Sequence, residues 1–526
     1  MAIVVLPDIP TSDSHGLVVG EITGFVPAAP ITTPISNSEA ARREGTWARV
    51  EVSGNRAQLL VDRPRSFPLF YARRGEDWIV GSDAARTAAA AGLTRRSERG
   101  AAALLHCGHT LGSDTLFQNL YTVPAGSRVQ LEPNGAVTQE VFSRFRYPDT
   151  RVSDDAEYEE MFSAAMDAVL TRALNHIGDR RIAIPLSGGI DSRLLLAWLQ
   201  QLGAGKIIAF TYGTAGAQEV EVSRRVAAEA GVEWHCVETK AADIADRWNS
   251  SPIHDFLADT WSGTALPHVQ DWWALTRLLE DSVLAPGDVV MPGHTVVGNM
   301  HHAQMLDWPD PDRAIQRAVE AQHWTFRGKR PRAGMERSIV DGAIESAKQE
   351  VAFDGSRATT QACIEWFGAR ERQAKYINNS VRAYEHFGLE WAMPMLEPEL
   401  WDVCMVGDEA HSVDRGWYAT LTNRIWREAT GSDLAFHTAL KTSLSPGARE
   451  VLLSILRKTR GDRVLSRYFS VRTQLRHPMA FEAYAASVPT RRSLPFLARG
   501  GLLFGLWTEL FLESSWGNQG EIVPPR

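Results

Sequence analysis

The sequence predicts an α/β protein: a β-rich α+β part up to about residue 148, then a parallel sheet with crossover helices that gives way to a helical C-terminal part. Three observations carry that expectation. Residues 1–148 hold short alternating runs broken by Gly, Asn, Asp and Pro. From Ser153 onward, helix-patterned and strand-patterned segments alternate, as in parallel sheets whose strands are joined by helices. Within that second part, Ile182-Ala-Ile-Pro-Leu-Ser187-Gly188-Gly189-Ile190-Asp191-Ser192 takes a short apolar strand through a glycine turn directly into a helix.

The elements follow in chain order. Trp47–Val52 and Ala57–Val61 read as strands of the first part. Val123–Leu131 gives a turn and a strand, and Glu132-Pro-Asn-Gly135 is a hairpin turn. The polar stretch Tyr147–Ser153 marks the boundary, dividing the chain into 1–148 and 153–526. Asp154–Leu174 is a helix with an acidic start. Ile182 opens the glycine-turn strand, and Leu194–Leu202 continues the helix after it. Lys206–Tyr212, Trp234–Glu238 and Asp288–Pro292 are further strands, with a helix over Glu219–Ala230 that stops at Gly231. Beyond about residue 310 the pattern is mostly helical.

The strand–glycine–helix join is the geometry of an anion site. Glycines let backbone N–H groups approach a ligand closely, and a helix N-terminus adds partial positive charge. Ser187 and Ser192 add hydroxyl donors, and Asp191 is a candidate magnesium ligand. The spacing differs from the Walker loop, which ends in Lys-Ser or Lys-Thr, and from the three-glycine dinucleotide fingerprint.

Composition narrows the function classes. The 526 residues carry a net charge of −8 without long runs of one sign, which argues against general nucleic-acid binding. Four widely spaced cysteines (Cys107, Cys236, Cys363, Cys404) give neither disulfide nor metal-site spacing and suit a reducing, cytoplasmic setting. No signal-peptide pattern and no apolar run of membrane-spanning length is present. The apolar segment Leu502–Leu512 is too short to span and is expected to be a packed helix or a partner face.

The string Ser187-Gly-Gly-Ile-Asp-Ser192 resembles the pyrophosphate loop of the ATP pyrophosphatases, and most of the chain resembles the asparagine synthetase family. Asp62-Arg-Pro-Arg-Ser-Phe-Pro-Leu-Phe-Tyr71, Trp78–Asp83, Asp114-Thr-Leu-Phe117 and Val123-Pro-Ala-Gly126 are similar to that family's glutaminase-type domain, with Arg65 where a glycine is usual. Glu371–Gly388 and Glu390–Glu397 are similar to the segment where the family reads Arg-x-Pro-Phe-Leu-Asp. The resemblance implies an N-terminal-nucleophile (Ntn) sandwich followed by a parallel-sheet synthetase domain. It implies ATP and Mg2+ as cofactors. Ser187, Gly188, Gly189, Asp191 and Ser192 would cradle the pyrophosphate, Asp191 would hold the metal, and Leu186 and Phe210 would flank adenine. Gly293 lies in the stretch matching the family's second glycine-rich loop. Lys441 is the candidate for the late lysine that steadies developing charge.

Two departures are informative. Active glutaminases of the family carry a cysteine next after Met1, and here that residue is Ala2. The first domain is therefore expected not to release ammonia from glutamine. Val297 stands where the family usually places a magnesium-binding aspartate, and a valine cannot ligate a hard cation. Together these features point to an amide-forming synthetase that adenylates a carboxylate and transfers the acyl group to an amine other than glutamine-derived ammonia. The leading expectation is a lasso-peptide macrolactam cyclase, with a precursor peptide and its protease as partners. The alternatives are an asparagine or sugar-acid amide synthetase fed by ammonia, and a non-catalytic ATP-loop protein.

Other singled-out residues have structural readings. His294, His301 and His302 are expected to be loop or surface histidines rather than bases. Glu371, Arg372 and Lys375, one helical turn apart, are expected to form a solvated ion-pair face. Tyr384 reads equally as a core residue or, with Glu385, as a substrate-side base. Trp261, Trp272 and Trp273 read as core or pocket wall.

Overall fold

A computed structural model describes residues 2–515 except 15–16, 29–30, 32, 249–251, 297–302, 414 and 434–460. Fifteen strands are described: β1 (Ile3–Val5), β2 (Thr11–Ser14), β3 (Leu17–Thr23), β4 (Trp47–Ser53), β5 (Arg56–Val61), β6 (Phe70–Arg74), β7 (Asp77–Gly81), β8 (Leu120–Thr122), β9 (Ser127–Leu131), β10 (Val137–Val141), β11 (Ile182–Pro185), β12 (Ile207–Gly213), β13 (Glu233–Glu238), β14 (Val289–Val290) and β15 (Glu390–Trp391).

The first ten make two mainly antiparallel sheets, ordered β1-β7-β6-β8 and β10-β9-β5-β4-β3-β2. Their inward faces alternate with polar residues, so Leu59, Val61, Phe70, Ile79 and Val129 share one apolar cluster with helices Ala84–Ala90 and Glu98–Cys107. The hairpin read from Glu132-Pro-Asn-Gly135 joins β9 to β10, with Gly135 at φ +87. At Arg65 the backbone takes φ +57, the left-handed region that glycine enters without strain. Arg65 holds that conformation because its buried guanidinium donates from Nη2 to Thr122 Oγ1 (2.7 Å) and from Nε to Val123 O (3.3 Å).

The last five strands form an all-parallel sheet, ordered β13-β12-β11-β14-β15. Helix Asp155–Ile177 leads into it. Asp154 caps this helix by accepting from Glu157 N (2.8 Å), and the chain turns at Gly178. Its buried face (Phe162, Met166, Leu170) packs with Ile182, Ile184 and the fully buried Leu194, Leu195 and Leu196 of helix Ile190–Gln201. Each such leucine contributes about 2 kcal/mol relative to an exposed position, so the helix that follows the glycine turn is rigidly seated. Helix Gln218–Ala230 ends at Gly231 in the left-handed conformation, as the sequence predicts. β15 is not predicted: a two-residue strand leaves no periodicity to read.

The order of strands fixes where a ligand fits. The chain runs β11, β12, β13 outward on one side, then returns to lay β14 on the other side of β11. Between β11 and β14 the winding reverses, and at such a switch point the loops at the carboxyl ends diverge to leave a crevice. The loop 186–189 and Gly293 flank that crevice. The C-terminal run forms a packed helix, Leu503–Leu510, with Leu506 and Trp507 buried, and among the described residues no helix is long and apolar enough to cross a membrane.

Candidate active site

β11 delivers Leu186 and Ser187 to the sheet edge, and Gly189 is the N-cap of helix Ile190–Gln201. No side chain caps that helix, so its first N–H groups stay available to an anion. Gly189 N donates to Ser187 Oγ (3.1 Å), and the Ser187 and Ser192 hydroxyl oxygens lie 3.4 Å apart. Two hydroxyls and a run of main-chain N–H groups therefore converge on one side of the turn.

The glycines here serve close approach rather than unusual torsions: none of Gly188, Gly189 and Gly293 has positive φ. A Cβ on Gly293 would sit 2.8 Å from Ser192 N and 3.1 Å from Asp191 C, so the loop after β14 presses directly on the first turn of the helix. A Cβ on Gly188 would meet Val222 Cγ1 at 3.3 Å. Leu186 N donates to Phe210 O (2.8 Å), and both side chains are buried. Phe210 can thus border an adenine only through its main chain.

Asp191 is engaged by a partner far away in sequence. Arg415 faces it with both terminal nitrogens, Nη1 at 3.3 Å from Oδ2 and Nη2 in a closer contact with Oδ1. Arg415 precedes helix Gly416–Thr430, which packs on the loop helix, and its guanidinium lies over the Tyr418 ring, 4.9 Å from the centroid. Its backbone is left-handed (φ 56, ψ 23), an uncommon conformation for a residue with a side chain. Sequence reading missed Arg415, since nothing local links it to residue 191.

The metal reading of Asp191 can be tested against these donors. A divalent magnesium ion wants several free oxygen ligands. Both Asp191 oxygens face a guanidinium, Val297 has no side-chain oxygen, and among the described residues no cluster of three His, Cys, Asp or Glu is built to hold a metal. The side chains described here do not fit a protein-held magnesium ion.

Lys441, Val297, His301 and His302 lie outside the described residues. His294 is half-buried beside the loop. Burial pushes its imidazole down to about 3, with His268 adding to the effect, so it is neutral and a weak base at ordinary pH. Trp261, Trp272 and Trp273 are buried, as expected.

The expectation of a solvated Glu371–Lys375 face is overturned. Both side chains are buried, and only Arg372 points to solvent. They lie in a wide-wound, π-helical segment, Phe367–Ile377, that faces the N-terminal sheets. Glu371 Oε1 accepts from Gly112 N (3.0 Å). Lys375 Nζ donates to Gly112 O (2.6 Å), Thr110 O (3.2 Å) and Glu371 Oε2 (2.7 Å). The i,i+4 spacing gives the Glu371–Lys375 pair; what a single helix pattern cannot show is that another part of the chain covers it.

Tyr384 takes its core reading. It is buried, and its hydroxyl donates to Asp271 Oδ2 (3.0 Å), while Tyr212 donates to the other oxygen. Burial, then the Asp271 charge, raises the Tyr384 phenol well above its usual range, so it is no base. Glu385 accepts from Trp391 Nε1 (2.9 Å) and pairs with Arg382 (2.8 Å). The four cysteines are free thiols. Ala2 anchors the first strand: its N donates to Asp77 Oδ1 (2.6 Å) and its carbonyl accepts from Trp78 N (3.0 Å).

A parallel sheet with a serine–glycine loop at its switch point defines the class: an α/β protein with a loop-and-helix crevice at the carboxyl ends of its strands. Residues 165–417 match the asparagine synthase family model. Among solved structures, an NH3-dependent NAD synthetase from Campylobacter jejuni shares 16% identity over 28% of this chain and 59% of its own, with a TM-score of 0.19. The glutamine phosphoribosylpyrophosphate amidotransferase of B. subtilis shares 11% over 57% and 66% (TM-score 0.19). A glutamine-dependent NAD+ synthetase from Acinetobacter baumannii shares 14% over 48% and 42% (TM-score 0.18). This chain thus spans about three-fifths of the first of these structures. No curated protein matches it.

Proposed function

We propose that this chain is an ATP-dependent, AMP-forming carbon–nitrogen ligase that joins a carboxylate to an amine without hydrolysing glutamine. The observation that carries the reading is the loop Ser187–Ser192 at the sheet's switch point, inside the segment that matches the asparagine synthase family model. Ser187, Gly188, Gly189 and Ser192 present hydroxyls and N–H groups to the β- and γ-phosphates. The main chain at Leu186 and Phe210 borders the adenine. The substrate carboxylate attacks the α-phosphorus, the bond to the bridging α–β oxygen breaks, and pyrophosphate leaves with that electron pair into the loop. Donors already aimed at the phosphate oxygens stabilise the growing charge without reorganising. An amine then attacks the acyl carbon, AMP departs with the C–O electron pair, and the amine proton passes to a base or solvent. Lys441 is our candidate for stabilising charge on the reacting phosphoryl group.

The methyl side chain of Ala2 supplies no thiolate, which supports an amine from another source than glutamine. Within that class, we favour macrolactam formation as in lasso-peptide cyclases: an Asp or Glu side chain of a precursor peptide is the acid and the peptide's own N-terminal amine is the nucleophile. The Tyr384 hydroxyl is taken up by Asp271 and the Glu385 carboxylate by Trp391 and Arg382, so neither serves as a substrate-side base in this reading.

ATP–pyrophosphate exchange with a panel of acids, alongside AMP release with ammonium or with peptides bearing an internal Asp or Glu, tests both levels. Exchange and AMP release with peptide alone is the expected result. AMP release with ammonium and a free acid would overturn the cyclase reading, and no exchange with any acid would overturn the ligase. Gly293→Ala, whose methyl would meet Ser192 N at 2.8 Å, is expected to lower exchange by about a hundredfold or more while the protein stays folded.

A further inference from the structure

We propose that Arg415, rather than a metal held by the protein, supplies the positive charge at the phosphate loop, so that the loop binds a triphosphate or pyrophosphate in the absence of divalent cations. The inference rests on the reading of Ser187–Ser192 as a nucleotide loop and specifies what neutralises the bound phosphates.

The loop has a problem of charge. It offers hydroxyls, N–H groups and a helix N-terminus, but its one charged side chain, Asp191, repels phosphate. In a metal-dependent loop the cation bridges such a carboxylate to the phosphate oxygens. Here the bridge position is held by a guanidinium. Arg415 contacts both Asp191 oxygens through Nη1 and Nη2, and since its Nε is buried, the donors left over are the second N–H groups of Nη1 and Nη2. A guanidinium carries five N–H donors and cannot lose its charge, so pairing with one carboxylate leaves donors for a phosphate. Arg–phosphate contacts are charge-assisted and can be bidentate.

The placement is also built rather than incidental. Arg415 is set in the left-handed region at the start of helix Gly416–Thr430, its guanidinium lies on the Tyr418 ring, and the helix behind it shares a core with the loop helix through Tyr418, Leu421, Ile425 and Trp426. Gly293 closes the other side, with no room for a Cβ against Asp191 and Ser192. The pair is only partly covered, each side chain keeping 27% of its surface exposed, so an anion can reach it.

Calorimetric titration of the full chain with ATP and with inorganic pyrophosphate, in EDTA and in excess Mg2+, tests this with binding as the readout. The expected result is a wild-type Kd for each ligand that changes by less than about fivefold between the two conditions, and a loss of about tenfold or more in EDTA for Arg415→Met. Wild-type binding that appears only with Mg2+, or Arg415→Met binding as tightly as wild type in EDTA, would overturn the proposal while leaving the nucleotide loop intact. Absence of wild-type binding in both conditions would instead overturn the loop reading. Circular dichroism checks the fold of the variant; should it not fold, the wild-type comparison decides alone, with a change above fivefold counting against Arg415.

Discussion

Two ion pairs tie distant parts of this chain together, and they differ in the one respect that decides their roles. Glu371–Lys375 joins the helical part to the N-terminal sheets, its side chains 5% and 1% exposed, and every acceptor around Lys375 Nζ is protein. Asp191–Arg415 joins helix Gly416–Thr430 to the loop Ser187–Ser192, each side chain 27% exposed, with an N–H on each terminal nitrogen not used by Asp191. A sealed, fully satisfied pair holds structure. An open pair with unused donors at a sheet's switch point can change partners when a ligand arrives. Burial and satisfaction, rather than ion-pair geometry, separate the two.

The largest effect expected is at the sealed pair. Lys375→Met leaves the buried Glu371 carboxylate with one N–H from Gly112 and the charge of Arg65 as its remaining support, and breaking a buried pair on one side costs about 3–5 kcal/mol. The denaturation midpoint should fall accordingly. Replacing both partners (Glu371→Leu with Lys375→Met) should recover part of that loss, because the two charges leave together, although the buried Arg65 then loses the Glu371 charge that favours it. If the single variant is as stable as the double, the pair is not sealed and the contrast with Asp191–Arg415 fails.

A second buried carboxylate sharpens the same point through pH. Burial raises Glu397 to about 7 against the pull of Arg172 and of Gly45 N, whose N–H it accepts at 2.8 Å. A carboxyl that binds its proton more tightly folded than unfolded stabilises the fold below its unfolded value of 4.5, and that contribution is lost as pH rises through about 7. Glu397→Gln stays neutral throughout. Its stability relative to wild type should therefore rise between pH 5 and 8, by up to about 3 kcal/mol, and be flat below pH 4. Parallel pH profiles for the two proteins would place Glu397 in solvent.

What was legible from sequence follows from how local each feature is. The strand, glycine turn and helix over 182–201 form one contiguous stretch, and so do the helix caps and the β9–β10 hairpin; all of them were readable. The glycine departure at Arg65 was visible too, but not its remedy, since Thr122 and Val123 lie across the fold. Arg415 could not be found because it meets Asp191 only after the parallel sheet and helix Gly416–Thr430 assemble. Glu371 and Lys375 were paired correctly yet misplaced, because a helix face gives its partner by spacing and its exposure only through what packs on it. Tyr384 stood undecided for the same reason: Asp271 and Tyr212, which occupy it, come from separate segments.

The smallest expected effect completes the contrast. Arg415→Met removes one side of a pair that solvent already reaches, so Asp191 is rehydrated rather than stranded. Partly exposed pairs are typically worth up to about 1 kcal/mol, and the left-handed backbone at this position is strained equally in both proteins, so it drops out of the comparison. Thermal unfolding of Arg415→Met should therefore stay within about that margin of wild type without ligand, while added pyrophosphate in EDTA raises the midpoint of wild type alone. A fall as deep as that of Lys375→Met would make Arg415 a second structural clamp, with no charge to lend a phosphate. Unchanged stability with the pyrophosphate response gone would mark a side chain kept for its ligand.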